Sequence, residues 1–238
     1  MRCGGAARRI PGSSVDPHGP NNKHWQWNVT DADFGAVTVS AFGYRSANDA
    51  GSPPFTPFNV ERHNGGLGVR DDGSCGAPQH AVDNDGRNDV IVFDFGAGRR
   101  YAGVSFSIGW EQYAGCTASK ADASCPDIEA WVGDSFNPSA GFAGWTQILD
   151  GDPENDIQPN REYAFTGGAQ GRYLAIAPQA GSERCVSFRQ NGTCRTWEYD
   201  YFKLQSLVVR GTRQVPEPGS LALLAAGLGM ALASRRRR

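Results

Sequence analysis

A chain of 238 residues with 39 % apolar side chains is long enough to bury one core of ordinary domain size. Its formal charge of −2 conceals an asymmetry: four of its 23 basic residues and one of its 25 acidic ones follow residue 215, which leaves the preceding body at −5. A body with that acidic excess lacks the basic surface that a phosphate backbone requires, so nucleic acid is excluded as an expected partner.

Thirty-one Gly, 14 Pro, 12 Phe, seven Tyr and six Trp, against two Met, favour short strands and tight turns over helices. Residues 1–24 scatter Arg and Pro and hold no apolar run of signal-peptide length. They read as a disordered N-terminal segment, with the signal peptide missing from the gene model. From Trp25 the pattern becomes strand-like: Trp25, Trp27 and Val29 alternate, then Val37, Val39 and Ala41. Further strands are expected at Val90–Phe95, Val104–Trp110, Ile128–Val132, Trp145–Leu149, Tyr163–Phe165, Tyr173–Ala177 and Tyr199–Val209. Strict alternation of Val104, Phe106, Ile108 and Trp110 predicts one buried face, with Ser105, Ser107 and Gly109 turned outward. Residues 25–212 show no helical period and no long repeat, so the expected body is a β-sandwich, with the jelly-roll among the topologies open to it.

Six cysteines are many for a cytoplasmic protein without metal. Cys116/Cys125 and Cys185/Cys194 each bracket eight polar, turn-forming residues, and two strands joined by such a loop bring cysteines toward bridging distance. Zinc ribbons want closer spacings, so disulfides in an oxidising compartment are expected, with Cys3 and Cys75 left over.

Several loops suggest chemistry. Asp83, Asp85 and Asp89 lie in a run of Asp and Asn around Gly86, which offers hard oxygen ligands for calcium; Arg87 and the lack of a following Glu set it apart from an EF-hand, and an Asx-rich turn is the competing reading. The alternating acids Asp150, Asp152, Glu154 and Asp156 read as a solvated loop. Gly133-Asp134-Ser135 superficially resembles an esterase nucleophile block, yet His18, His24, His63 and His80 all precede it and no Gly-x-Ser-x-Gly elbow occurs. Carboxylate pairs drawn from Glu111, Asp127, Glu129 and Glu198 carry no distance information. No catalytic residues are assigned and no enzyme is expected. Trp25, Trp27, Trp131, Trp145 and Trp197 are expected mostly in the core, with sugar stacking as the alternative for any left exposed.

The tail reads QVPEPGSLALLAAGLGMALASRRRR. Prolines on both sides of Glu217 exclude helix and strand, which leaves Pro216-Glu217-Pro218 extended and accessible. A 13-residue apolar stretch follows from Leu221 to Ala233, including Leu221, Leu223, Leu224, Leu228, Met230 and Leu232, and then Arg235, Arg236, Arg237 and Arg238. Lengthened by Gly219, Ser220 and snorkelling Arg stems, it spans a bilayer marginally as a single hydrophobic helix, and the arginines hold the C-terminus in the cytoplasm.

This order of motif, short apolar segment and Arg cluster resembles the PEP-CTERM sorting signal of Gram-negative-type bacteria. The resemblance implies recognition of the motif by an exosortase-type membrane transpeptidase, a transient inner-membrane intermediate, and delivery to the cell surface or extracellular matrix. Two stretches of the body also look like those of exported proteins carrying such tails: Gly66-Leu67-Gly68-Val69 with Ala81 to Asp89, and Gly171 to Ile176 with Tyr201 to Leu204. The expected organisation is therefore an N-terminal segment at 1–24, an ectodomain at 25–212 and a sorting and anchor segment at 213–238. The expected role is a structural or adhesive surface protein associated with exopolysaccharide. A calcium-stabilised carbohydrate-binding module is the alternative, and a secreted hydrolase a weaker one.

Overall fold

The computed structural model describes residues 13–15, 24–31, 35–46, 53–63, 65–70, 81–85, 87–111, 125–151, 157–180 and 184–211. Residues 213–238, with the sorting motif and anchor, lie outside this set, as do Cys3, Cys75, Cys116, Gly86 and the side chains of Glu111, Cys185, Trp197 and Glu198.

The described body is all β. Its strands are β1 (Ser13–Val15), β2 (His24–Asp31), β3 (Gly35–Arg45), β4 (Thr56–His63), β5 (Gly66–Arg70), β6 (Val82–Asp83), β7 (Asp89–Asp94) and β8 (Tyr101–Glu111). They continue as β9 (Ile128–Gly133), β10 (Thr146–Leu149), β11 (Tyr163–Ala164), β12 (Gln170–Gly171), β13 (Tyr173–Pro178), β14 (Arg184–Phe188), β15 (Cys194–Glu198) and β16 (Tyr201–Gly211). Each of the nine expected strands has its counterpart here.

The sandwich expectation needs correction. Fourteen strands form one sheet in the order β10-β9-β13-β7-β3-β4-β5-β16-β8-β11, with β1, β2, β6 and β12 attached beside this path, and β14–β15 stand apart as a hairpin. The sheet curls into a half-barrel rather than splitting into two. The long β3 makes this connection: along one edge it pairs first with β2 and then, from Gly43 to Arg45, with β4. Gly43 sits at the handover, where a Cβ would lie 3.0 Å from the Phe58 carbonyl oxygen, so the missing side chain admits the close approach.

Curling brings two layers face to face around one core. Val39, Ala41, Ile91, Phe93, Ile128, Ala130, Leu174 and Ile176 meet Val60, Leu67, Val69, Phe106, Ile108, Phe202 and Leu204. Burial of this surface is the main favourable term for a fold made of short strands. The layers close at Gly171 on β12, whose Cβ would stand 2.4 Å from the Gly133 carbonyl oxygen on β9.

Ser105 and Ser107 depart from expectation. Phe106 and Ile108 do line the core, but both serines on the opposite face are buried as well. Neighbouring polar groups cover them: the Ser105 hydroxyl donates to a Glu162 carboxylate oxygen, and the Ser107 and Ser206 hydroxyls lie 2.6 Å apart. Alternation fixed which side faces the core, whereas cover on the other side depended on residues distant in sequence.

Candidate functional site

Among the described residues, the outer face of the layer β9-β13-β7-β3 gathers a cluster of aromatic side chains. Register aligns Trp131, Ala175, Val92 and Phe42 in one row across four strands. The adjacent row runs Gly133, Tyr173, Asp94 and Ser40, then Gln26 on β2, which donates to Ser40 at 3.0 Å.

Phe55, Phe136, Phe142 and Trp145 fold over these rows from neighbouring loops, so Val90, Val92, Ala175 and Ala177 become a second, smaller core. Trp131 stacks on Phe142 with centroids 4.7 Å apart and planes 15° from parallel. The Trp145 indole N–H is spent on the Ser135 carbonyl at 2.8 Å. Its ring lies where a side chain on Gly133 would stand, 2.5 Å from an ideal Cβ. These tryptophans thus act chiefly as struts for the 134–145 loop.

What remains half-exposed is a polar strip beside them. Arg172 chelates Asp94 through two bonds of 2.9 and 2.8 Å and lies over the Tyr173 ring, 4.7 Å from its centroid. Burial, and then the proximity of Tyr173 and Asp94, push the Tyr44 hydroxyl up to about 12, so it stays protonated and available as a donor at neutral pH. A tyrosine face beside an ion pair and a protonated phenol can accept a flat ring with hydroxyl neighbours.

The other end of the layer is acidic, and its carboxylates are held by neighbouring donors. Asp83 accepts the Asp85 N–H at 3.2 Å, Asp85 accepts the Tyr201 hydroxyl at 2.9 Å, and the buried Asp89 takes both donors of Arg45 at 2.7 and 3.0 Å. Among the described residues no three His, Cys, Asp or Glu side chains are grouped to hold a metal. Burial, and then repulsion from Asp89, raise the Asp83 carboxyl well above the ordinary carboxylate range, which favours its neutral form. The loop amides form a polar knot. Asn84 donates to the Gln179 carbonyl and to Asp200, and Asn88 donates to the Pro178 carbonyl.

Of the carboxylates named from sequence, Asp127 is buried and gives its N–H to Asp200 at 3.2 Å. Glu129 lies on the outer face, where burial and then Asp150 push its carboxyl up to about 7. Asp134 of the Gly-Asp-Ser turn is exposed and pairs with Arg100 at 2.9 Å, in keeping with a surface turn. Cys125 and Cys194 are each disulfide-bonded. In the β14–β15 hairpin, Cys185 stands across from Trp197 and Cys194 across from Phe188.

Sequence reasoning missed the satellite core and the Asp94–Arg172 pair. Part of the signal was present, since Glu129 and Trp131 alternate with the buried Ile128, Ala130 and Val132 on a strand located from sequence, but the sequence reading places Trp131 mostly in the core.

β16 ends at Gly211, and residues 214–238 match the family described as the PEP-CTERM protein-sorting motif. No curated protein and no solved structure matches the chain. The sorting motif implies recognition by an exosortase-type processing enzyme and export through the membrane to the cell surface.

Proposed function

We propose that this chain, which carries a PEP-CTERM protein-sorting motif, is an exported structural or adhesive component of the cell surface or exopolysaccharide matrix rather than an enzyme. The observation that carries this reading is the place of the motif: Pro216 follows the last residue of β16 by five positions. Five residues span at most about 18 Å. A transpeptidase acting on Pro216–Pro218 would therefore work close against the Gly211 end of the body and release it with a short stub. Leu221–Ala233 would anchor the intermediate in the inner membrane, and Arg235–Arg238 would hold its end in the cytoplasm.

The non-enzymatic part of the proposal draws on how the candidate groups are occupied. Asp85 and Asp89 are engaged by Tyr201 and Arg45, and Trp131 and Trp145 are engaged in the satellite core. Replacing Glu217 by Ala in the native host is expected to retain the full-length chain in the inner-membrane fraction, whereas the parent body reaches the surface. Equal surface delivery of both would remove the sorting role of the motif.

The strip of Tyr44, Tyr173, Asp94 and Arg172 favours a second reading, in which the body binds neutral polysaccharide along its outer face. Titration with fragments of the host exopolysaccharide tests it: a Tyr173→Ala variant should bind at least about 10-fold more weakly, the loss of one good contact. Unaltered binding would place the ligand elsewhere.

A further inference from the structure

One row of the outer face changes character from end to end. Register sets Gly133, Tyr173, Asp94, Ser40 and Gln26 side by side on β9, β13, β7, β3 and β2. Residues directly opposite one another in antiparallel strands share a face, so this row crosses the strands rather than following one of them. At about 4.8 Å between neighbouring strands, the Tyr173 and Gln26 positions lie about 14 Å apart.

The chemistry is graded along that line. At the β9 end the Trp145 ring lies over Gly133, with its centroid 6.1 Å from that of Tyr173. In the middle Arg172 and Asp94 neutralise each other through bonds of 2.9 and 2.8 Å. At the β2 end the Gln26 amide donates to the Ser40 hydroxyl oxygen at 3.0 Å. These six side chains are half-buried, and along one side the row is bordered by the apolar row of Phe42, Val92, Ala175 and Trp131. Among the described residues, the bonds of the row leave the Ser40 O–H, the Gln26 side-chain carbonyl and Arg172 Nη1 for a hydroxylated ligand.

We propose that this transverse row is a track for a neutral polysaccharide chain laid across the strands, with one sugar packed at the Tyr173–Trp145 end and the hydroxyls of those that follow bonded to Arg172, Ser40 and Gln26. The proposal rests on the reading of the body as a polysaccharide binder and adds the path of the chain and the residues that read it. Charge selects the occupant: the one carboxylate and the one guanidinium of the row cancel, so it offers no net charge to draw a polyanion or a polycation. Aromatic rings beside hydroxyl and amide groups match the apolar faces and hydroxyl edges of sugars.

The test is calorimetric titration of the full chain with neutral oligosaccharides, fractionated by size from a partial hydrolysate of the host exopolysaccharide. A tetrasaccharide should bind at least about 10-fold more tightly than a disaccharide, because only the longer chain reaches from Tyr173 to Gln26. Gln26→Ala and Ser40→Ala should each weaken tetrasaccharide binding about 3- to 10-fold, the loss of one hydrogen-bonding group, at parental Tm. Asn28, paired with Thr38 at 2.8 Å, lies two residues along β2 from Gln26 and outside the row, so Asn28→Ala should bind as the parent does. If Tyr173→Ala weakens binding while Gln26→Ala and Ser40→Ala match the parent, the polysaccharide reading stands and the track is overturned. Equal losses at Asn28→Ala and Gln26→Ala would also overturn it, because the chain would then run along β2. Parental binding by Tyr173→Ala, or no binding of any fraction, would remove the polysaccharide reading and the track together.

Discussion

Asn84 and Asp200 hold each other reciprocally across 116 positions of sequence: the Asn84 side-chain amide donates to Asp200 Oδ2 at 3.1 Å, and the Asp200 N–H returns a bond to Asn84 Oδ1 at 2.7 Å. Because Asp200 also accepts the Asp127 N–H, this pair ties the β6–β7 loop, the start of β9 and the start of β16 into one node. Asn84→Ala takes away an acceptor from a buried backbone N–H and should cost about 1–3 kcal/mol. Asp200→Ala removes acceptors from two sites and should cost more. Urea unfolding should show a lower midpoint with an unchanged slope for both, and Asn84→Ala at parental stability would show that the node is dispensable.

Glu129 gives the protein a pH dependence of unusual sign. Burial and then Asp150 push its carboxyl up to about 7, so the folded chain holds this proton more tightly than the unfolded chain does. Between about pH 4.5 and 7 the folded state binds more protons, and stability falls as pH rises through that window. Asp83, raised by burial and then by Asp89, acts in the same direction. Glu129→Gln should match the parent Tm at pH 4.5 and exceed it at pH 8. A parallel pair of Tm curves would contradict the assignment.

Two glycines should respond to the same change to very different degrees. A Cβ on Gly109 would stand 2.1 Å from the Gly65 carbonyl oxygen, a backbone atom that cannot swing aside. Gly109→Ala should therefore destabilise by at least about 3 kcal/mol or abolish folding. Gly144 lies at φ +79° with nothing within 4 Å, so Gly144→Ala should cost only about 1 kcal/mol of backbone strain. Comparable thermal unfolding of the two variants would contradict the packing at β8.

Calcium should leave the body's stability unaltered. Asp83, Asp85 and Asp89 are engaged by a backbone N–H, by Tyr201 and by Arg45. The Tm in millimolar calcium and in chelator should coincide. A rise with calcium that Asp85→Asn removes would show that the acidic loop opens to hold the ion.

How far the fold could be read from sequence follows from which residues carry a local pattern. The strand of Val104, Phe106 and Ile108 announced itself by alternation, and Phe106 and Ile108 line the core, although Ser105 and Ser107 on its other face are buried as well. β4 did not, because Pro57, Glu61, Arg62 and His63 interrupt any apolar period, and its place rests on pairing with β3 and β5. The curl of the sheet was equally hidden, since it depends on one strand changing partner at Gly43. Within the site, Trp131 and Tyr173 were recognisable as aromatic strand residues, but Arg172 meeting Asp94 depends on cross-strand register, which no local window contains. The Asp83–Asp89 run shows the converse. Its composition admitted either a calcium loop or an Asx-rich turn, and partners more than 40 residues away, Arg45 and Tyr201, take up two of its three carboxylates.

The central claim is that this body is exported and sorted through its C-terminal motif. Intact-mass analysis of the protein from its native host, with and without the transpeptidase expected to act at Pro216–Pro218, tests it most directly. The account predicts a chain lacking Leu221–Arg238 only where that enzyme is present. A full-length, membrane-extracted chain in both strains would contradict it and would make Leu221–Ala233 a permanent anchor.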